Sequence, residues 1–242
     1  MIFPENQYAG ACFSQDHLQK IRIATMAARG KVHLNMIVTK TGDAGETYIN
    51  DGSRVPKASK RIQALAVVEQ IAVKLGYFIF ACDQDVLHLP LAEDVTCQLN
   101  LTELAHSFQQ EMYDLGSDLS TPFKEGETAG RFPLEKVEEI TALIGELTPI
   151  LEPLDSFILP QGSLRVLISH DIRTMVREAE LKVWEIEDPV NPAVCQYLNR
   201  LSDFWFVFSR ILQYEEQRSD EIEIKLWEPN QQHPRGVTIR KA

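Results

Sequence analysis

The sequence predicts an all-α fold, an antiparallel bundle of five helices. Five segments repeat apolar residues at steps of three and four, the spacing of one helix face. Breaks such as Ser120-Thr121-Pro122 and Pro189 separate them. No alternating strand series and no long internal repeat is visible. The 242 residues suit one large domain or two small ones, and a hydrophobic share of 44% is ordinary for a chain with a proper core.

The first helix, residues 60–82, follows the Pro56/Ser59 region and carries Ile62, Leu65, Val68 and Ile71 at helical spacing. The second, 99–119, carries Leu101, Leu104, Phe108, Met112 and Leu115. A loop then runs to Phe132, with Gly126 and Gly130 in it. The third, 133–150, opens with Pro133 in its first turn and includes Val137, Ile140, Ile144 and Leu147. The last two, 163–187 and 191–217, have Ser163 and Asn191 as N-caps, the latter followed by Pro192 at N1. We therefore expect a bundle over 36–217 and an extended tail over 218–242. Residues 1–35 stand apart, with Lys20, Arg22, Arg29 and Lys31 and no acid between Asp16 and residue 33. They read as a transit peptide, as a disordered extension, or as the product of an upstream start codon with Met36 the true first residue.

The net charge of −11 excludes a generally basic nucleic-acid surface. Cys12, Cys82, Cys97 and Cys195 lack metal-like spacing and read as reduced thiols of a cytoplasmic protein. No apolar run approaches the length of a membrane span. No protein-held metal site and no membrane association are expected.

The stretch Thr39-Lys40-Thr41-Gly42-Asp43-Ala44-Gly45-Glu46-Thr47 packs glycines, hydroxyls and a cation into nine residues. Such a loop can turn backbone N–H groups inward around an anion, or be no more than a turn. No Walker A pattern occurs. On helix 163–187, Ile168, Ile172, Val176, Ala179, Val183 and Ile186 form the core stripe at 100° per residue. His170, Arg173, Arg177, Glu180 and Trp184 form a second stripe beside it, suited to phosphate or to a salt-bridge network. Glu178 falls on a solvated face with Asp171, Lys182 and Glu185, where Glu178–Lys182 is an i,i+4 pair. On helix 191–217, Asn199, Asp203 and Arg210 line up opposite an aromatic arc. Phe157, in an apolar loop before residue 163, either meets a flat ligand or staples the helix after it.

These motifs resemble the PduO-type corrinoid adenosyltransferases over roughly residues 37–215. The family's TKTGD, RVPK, FILPGG, RTxxRRAER and YLNRLSD stand here at 39–43, 54–57, 157–162, 173–180 and 197–203, in order, with an LGxDLATP-like stretch at 113–119. The resemblance implies a ferritin-like five-helix bundle, assembled as a homotrimer with sites between subunits. It implies that Thr39, Lys40, Thr41, Gly42, Thr47, Tyr48 and Lys57 hold the phosphates of ATP. Arg177, Glu180 and Asn199 of a neighbour would complete that site, Arg173 would pair with Glu69, and Phe157 would press on the lower face of the corrin. Mg²⁺ would accompany the nucleotide. The chain departs from the family at Glu178 and Leu181, where arginines are usual, at Glu69 for an aspartate, and at Gln161 for one glycine of LPGG. The departures leave open a second reading, a non-catalytic sensor or delivery protein that binds ATP or a corrinoid.

Overall fold

The computed structural model describes residues 38, 40–82, 85–92, 95–127, 130–219 and 224–231. Thr39 and the extension 1–35 lie outside the described residues. The chain divides into two units, Met1–Lys40 and Thr41–Ala242, and the described helices lie in the second.

Its described elements are β1 (Glu46–Tyr48), β2 (Arg54–Pro56), α1 (Lys60–Cys82), β3 (Val86–Ala92), β4 (Val95–Asn100), α2 (Leu101–Leu119), α3 (Glu135–Leu147), a 3₁₀ turn (Thr148–Ile150), α4 (Leu164–Trp184) and α5 (Pro192–Ser219). The five expected helices are present among the described residues, and the fold is the expected helical bundle with two small hairpins added. α1 packs on α2 and α4, and α5 packs on α3 and α4. The core stripe read on α4 is buried at Ile168, Ile172, Val176, Ala179 and Val183. At the centre Trp205 meets Phe78 edge to face, with ring centroids 5.2 Å apart, and Phe204 and Phe208 pack beside it. A large apolar side chain buried this completely contributes about 1.5–3 kcal/mol.

The caps follow local chemistry. Asn100 starts α2 by accepting from the Glu103 N–H at 3.0 Å. Asn191 accepts from the Ala193 N–H at 3.1 Å, and its amide nitrogen donates to Asp118 and to the Phe132 carbonyl, both at 2.9 Å. One buried side chain thus starts α5 and pins the loop before α3. Ser163 precedes α4 as expected, but its hydroxyl donates to Glu216 on α5 instead of capping.

Two expectations need correcting. The absence of strands is wrong: β1 pairs with β2, and β3 with β4, both antiparallel. The expectation that no apolar run approaches a membrane span is wrong too. α1, whose most apolar 18-residue window has mean hydropathy 1.7, is long and apolar enough to cross a membrane by length and composition alone. Much of its apolar surface is core, including Ala64, Val68, Ile71, Leu75 and Phe78. In the tail, Leu226 forms an antiparallel bridge with Ile158.

Candidate nucleotide and corrinoid site

The phosphate-loop candidate is built on the β1–β2 hairpin. The Gly45 N–H donates to the Gly42 carbonyl at 3.3 Å, and the Lys57 N–H donates to the Gly45 carbonyl at 2.9 Å. Arg54 stiffens the base of the loop: it donates to the Thr41 carbonyl at 2.8 Å, pairs with Glu46 at 3.5 Å and lies 5.3 Å over the Tyr48 ring. The hairpin tip is anchored on the end of α2, where the Asn50 N–H donates to the Ser120 carbonyl at 2.9 Å. The Lys57 side chain lies across Gly42. A Cβ at Gly42 would sit 2.9 Å from Lys57 Nζ and 3.0 Å from Cε, so glycine gives the cation its place.

Thr41, Gly42, Thr47, Tyr48 and Lys57 therefore belong to one substructure, and all but the half-buried Gly42 and Thr47 are exposed. Lys40, with φ 57°, belongs to the first unit. Arg177, Glu180 and Asn199 come from different elements, α4 and α5. Arg177 and Asn199 are exposed and Glu180 is half-buried.

The second stripe of α4 is graded in burial. His170 is buried and its Nε2 has no hydrogen-bond partner among the described residues. Burial, then the Arg173 charge, pushes the imidazole below its usual range. Arg173 is half-buried, and its guanidinium lies 5.3 Å over the Phe206 ring. Burial, then the Arg177 charge, lowers its pKa, while Asp203 acts in the opposite direction. Among the described residues Arg173 thus rests on Phe206 and makes no ion pair with Glu69, which stands exposed on α1. Asp203 makes an ion pair with Arg200 at 2.8 Å.

Glu178 is exposed, as expected. Its expected partner Lys182 turns instead to Glu185, at 3.1 Å, and Glu185 also takes Lys60 at 2.7 Å. The i,i+3 geometry wins because one carboxylate there collects two cations.

Phe157 is 74% exposed, so it is no staple for α4. Its ring contact is Trp227, from the tail, at 6.1 Å between centroids. Trp227 is a site neighbour that the sequence reading missed. Gly162 closes the loop with φ 131°, and a Cβ there would meet Val166 at 3.1 Å.

A separate groove of about 820 Å³ runs between α1 and α4, lined by Val73, Tyr77, Phe80, Leu164 and Leu167 among others. Lys74 and Asp171 close an ion pair at its edge, 2.7 Å apart. None of the candidate nucleotide residues lines it. A group of three His, Cys, Asp or Glu side chains able to hold a metal is absent among the described residues.

The comparisons with known proteins bear on the same elements. The family model for cobalamin adenosyltransferase matches residues 37–212. A cobalamin adenosyltransferase of Cupriavidus metallidurans is 38% identical over 181 residues, covering 74% of this chain and 89% of that protein. The corrinoid adenosyltransferase of Mycobacterium tuberculosis is 32% identical, covering 74% and 90%. Among solved structures, a variant PduO-type ATP:corrinoid adenosyltransferase from Lactobacillus reuteri, complexed with cobalamin and ATP, superposes with a TM-score of 0.65 at 26% identity, covering 79% of this chain and 99% of that one. A second variant of that enzyme, complexed with ATP, gives 0.64 at 27% identity, covering 79% and 100%. With five helices in the expected order and a family match spanning most of its length, the chain belongs to the cobalamin adenosyltransferase family.

Proposed function

We propose that this chain transfers the 5′-deoxyadenosyl group of ATP to the Co(I) centre of a reduced corrinoid, cobalamin or cob(I)yrinic acid a,c-diamide, and releases triphosphate. The observation that carries the reading is the placement of Lys57 over Gly42 in a family-matched anion loop. The cobalt lone pair forms the bond to the ribose C5′ carbon. The C5′–O bond breaks, and its electron pair leaves on the triphosphate. No side chain needs to gain or lose a proton, because the nucleophile is the substrate's metal.

The protein's task is then electrostatic and geometric. Thr39, Lys40, Thr41, Gly42, Thr47, Tyr48 and Lys57 hold the phosphates, and Lys57 and Arg177 offset the charge that grows on the leaving group. Glu180 and Asn199 orient the nucleoside. Phe157, apolar and exposed, meets the lower corrin face. Mg²⁺ would come with the nucleotide and, beside Lys57 and Arg177, would offset charge on the leaving triphosphate.

Two features favour a homotrimer. The loop and the α4–α5 group stand on separate elements, and Arg173 and Glu69 are not paired with each other within the chain. Joining Arg173 of one subunit to Glu69 of the next would serve both. Exposed Val73, Tyr77 and Phe80 supply apolar surface for that contact. The free thiols of Cys82, Cys97 and Cys195 suit a cytoplasmic location.

The test is anaerobic incubation with ATP, Mg²⁺ and chemically reduced cobalamin, followed through the corrin absorption. Conversion to the adenosylated spectrum is expected. Binding without conversion selects the sensor reading, and an unchanged spectrum rejects both.

A further inference from the structure

The C-terminal segment returns to the Phe157 loop and grips it on both sides of the ring. The Trp227 N–H donates to the Phe157 carbonyl at 2.7 Å, and the Leu159 N–H donates to the Lys225 carbonyl at 2.9 Å. The Ser156 hydroxyl donates to the Trp227 carbonyl at 2.6 Å. Leu226 and Ile158 close the bridge, and Ile158 is buried. The indole then meets the Phe157 ring at an interplanar angle of 51°. The strap residues lie beyond residue 212, where the family match ends.

An exposed phenylalanine on an untethered loop would sample several rotamers and lose that freedom when a ligand docks. Three hydrogen bonds at residues 156, 157 and 159 fix the loop backbone, and the indole beside Phe157 narrows the rotamers open to its ring beforehand. We propose that Trp227 is a positioning residue for Phe157, and that residues 225–227 form a strap presetting the ring that meets the corrinoid. The inference rests on the adenosyl-transfer reading above. Trp227 acts through Phe157, so its loss should affect the corrinoid step and leave ATP binding alone.

The test is a double-mutant cycle on the full chain, with Trp227→Ala, Phe157→Ala and the double variant assayed on cob(I)alamin with MgATP. Trp227→Ala should lower kcat/KM for the corrinoid by about tenfold and leave the KM for ATP within about twofold. Trp227→Phe should recover most of the loss. In the Phe157→Ala background the tryptophan substitution should change nothing. If wild type turns over neither cob(I)alamin nor cob(I)yrinic acid a,c-diamide, the adenosyl-transfer reading fails and takes this inference with it; if only the diamide is used, the cycle is run on it. If wild type is active and Trp227→Ala matches it, only this inference falls. It falls equally if the loss persists without Phe157, since Trp227 would then be an independent contact. Should Trp227→Ala lose its cooperative melt, Ser156→Ala replaces it in the same cycle, because it deletes one strap hydrogen bond and leaves both rings in place.

Discussion

Adding one methyl group at Gly42 should cost this protein its ATP affinity while leaving its fold untouched. In Gly42→Ala the new Cβ would lie 2.9 Å from Lys57 Nζ and 3.0 Å from Cε, so the lysine must move. The move is cheap for stability, because Lys57 is exposed and flexible. Gly42 is not among the positive-φ glycines, so alanine brings no backbone strain. The lower entropy of the unfolded chain should add about 0.4–1 kcal/mol of stability. Binding is another matter, since a charge-assisted hydrogen bond contributes about 1.5–3 kcal/mol. Its loss corresponds to about a tenfold to hundredfold rise in Kd for ATP. Titration calorimetry with MgATP measures the affinity, and thermal melting measures the fold. Lys57→Ala should match Gly42→Ala, and the double variant should be no worse than either, because both act on one cation. Wild-type affinity in Gly42→Ala, or additive losses in the double variant, would refute the claim that the lysine over Gly42 holds phosphate.

Arg177→Ala should raise the Kd for ATP to a similar extent, and unchanged affinity by calorimetry would remove α4 from the nucleotide site. Light scattering should give a trimer mass, and Tyr77→Glu, which places a charge on the apolar face of α1, should shift it toward monomer; a monomer for wild type contradicts the assembly. Glu178→Arg should leave the KM for ATP nearly unchanged, since the side chain is exposed; a fall of about tenfold, or 1.4 kcal/mol, would put it against the nucleotide. Glu111 tests the core. Burial raises its carboxyl above 4.5, opposed by hydrogen bonding from Tyr197 and by Lys136. A raised folded pKa stabilises below the unfolded value, and that contribution is lost as pH rises through the folded one. Urea unfolding should therefore show wild type losing ground to Glu111→Gln as the pH rises above the ordinary carboxyl range. A flat difference would mean that Glu111 is not desolvated.

The helices were legible because their signals are local. Periodicity, Asn191 followed by Pro192, and the breaks at 120–122 and Pro189 act within a few residues. The β3–β4 hairpin left a signal too, in the alternation of Leu87, Leu89 and Leu91. Pro90 inside that run, and a Glu-Asp connection without glycine or asparagine, hid it. In a two-stranded hairpin each strand has an open edge, so a proline is tolerated there. The partner of Lys182 was misread for a different reason. Glu178 and Glu185 are both within reach along the helix, and the choice was made by Lys60 from α1, a tertiary neighbour. Trp227 was missed on the same ground. The alternation from Glu221 to Lys225 marks extended chain, but nothing local says that the chain will bridge Ile158.

The departures from the family pattern differ in what they cost at each position. A glycine is required where φ is positive, and the described non-glycine residues in that region are Lys40 and Asn230. Gln161 is not among them, whereas the retained Gly162 has φ 131° and Val166 pressed 3.1 Å from its missing Cβ. The loop keeps the glycine its geometry needs and has replaced the other. Glu178 and Leu181 are both exposed, Leu181 by 65%, so neither substitution disturbs the core of α4. What the helix retains is the graded stripe of buried His170, half-buried Arg173 and exposed Arg177. A drifting site would lose the costly members of that stripe first, because burying part of a guanidinium that makes no ion pair among the described residues costs stability, which Asp203 offsets only in part. Arg173 has been kept in that position, resting on Phe206. Its retention makes sense if a carboxylate arrives from outside the chain, as the proposed trimer supplies from Glu69. The same assembly would bring Arg177 to the phosphate loop of a neighbour, so the cost of Arg173 in the monomer is the strongest physical argument for a working intersubunit site.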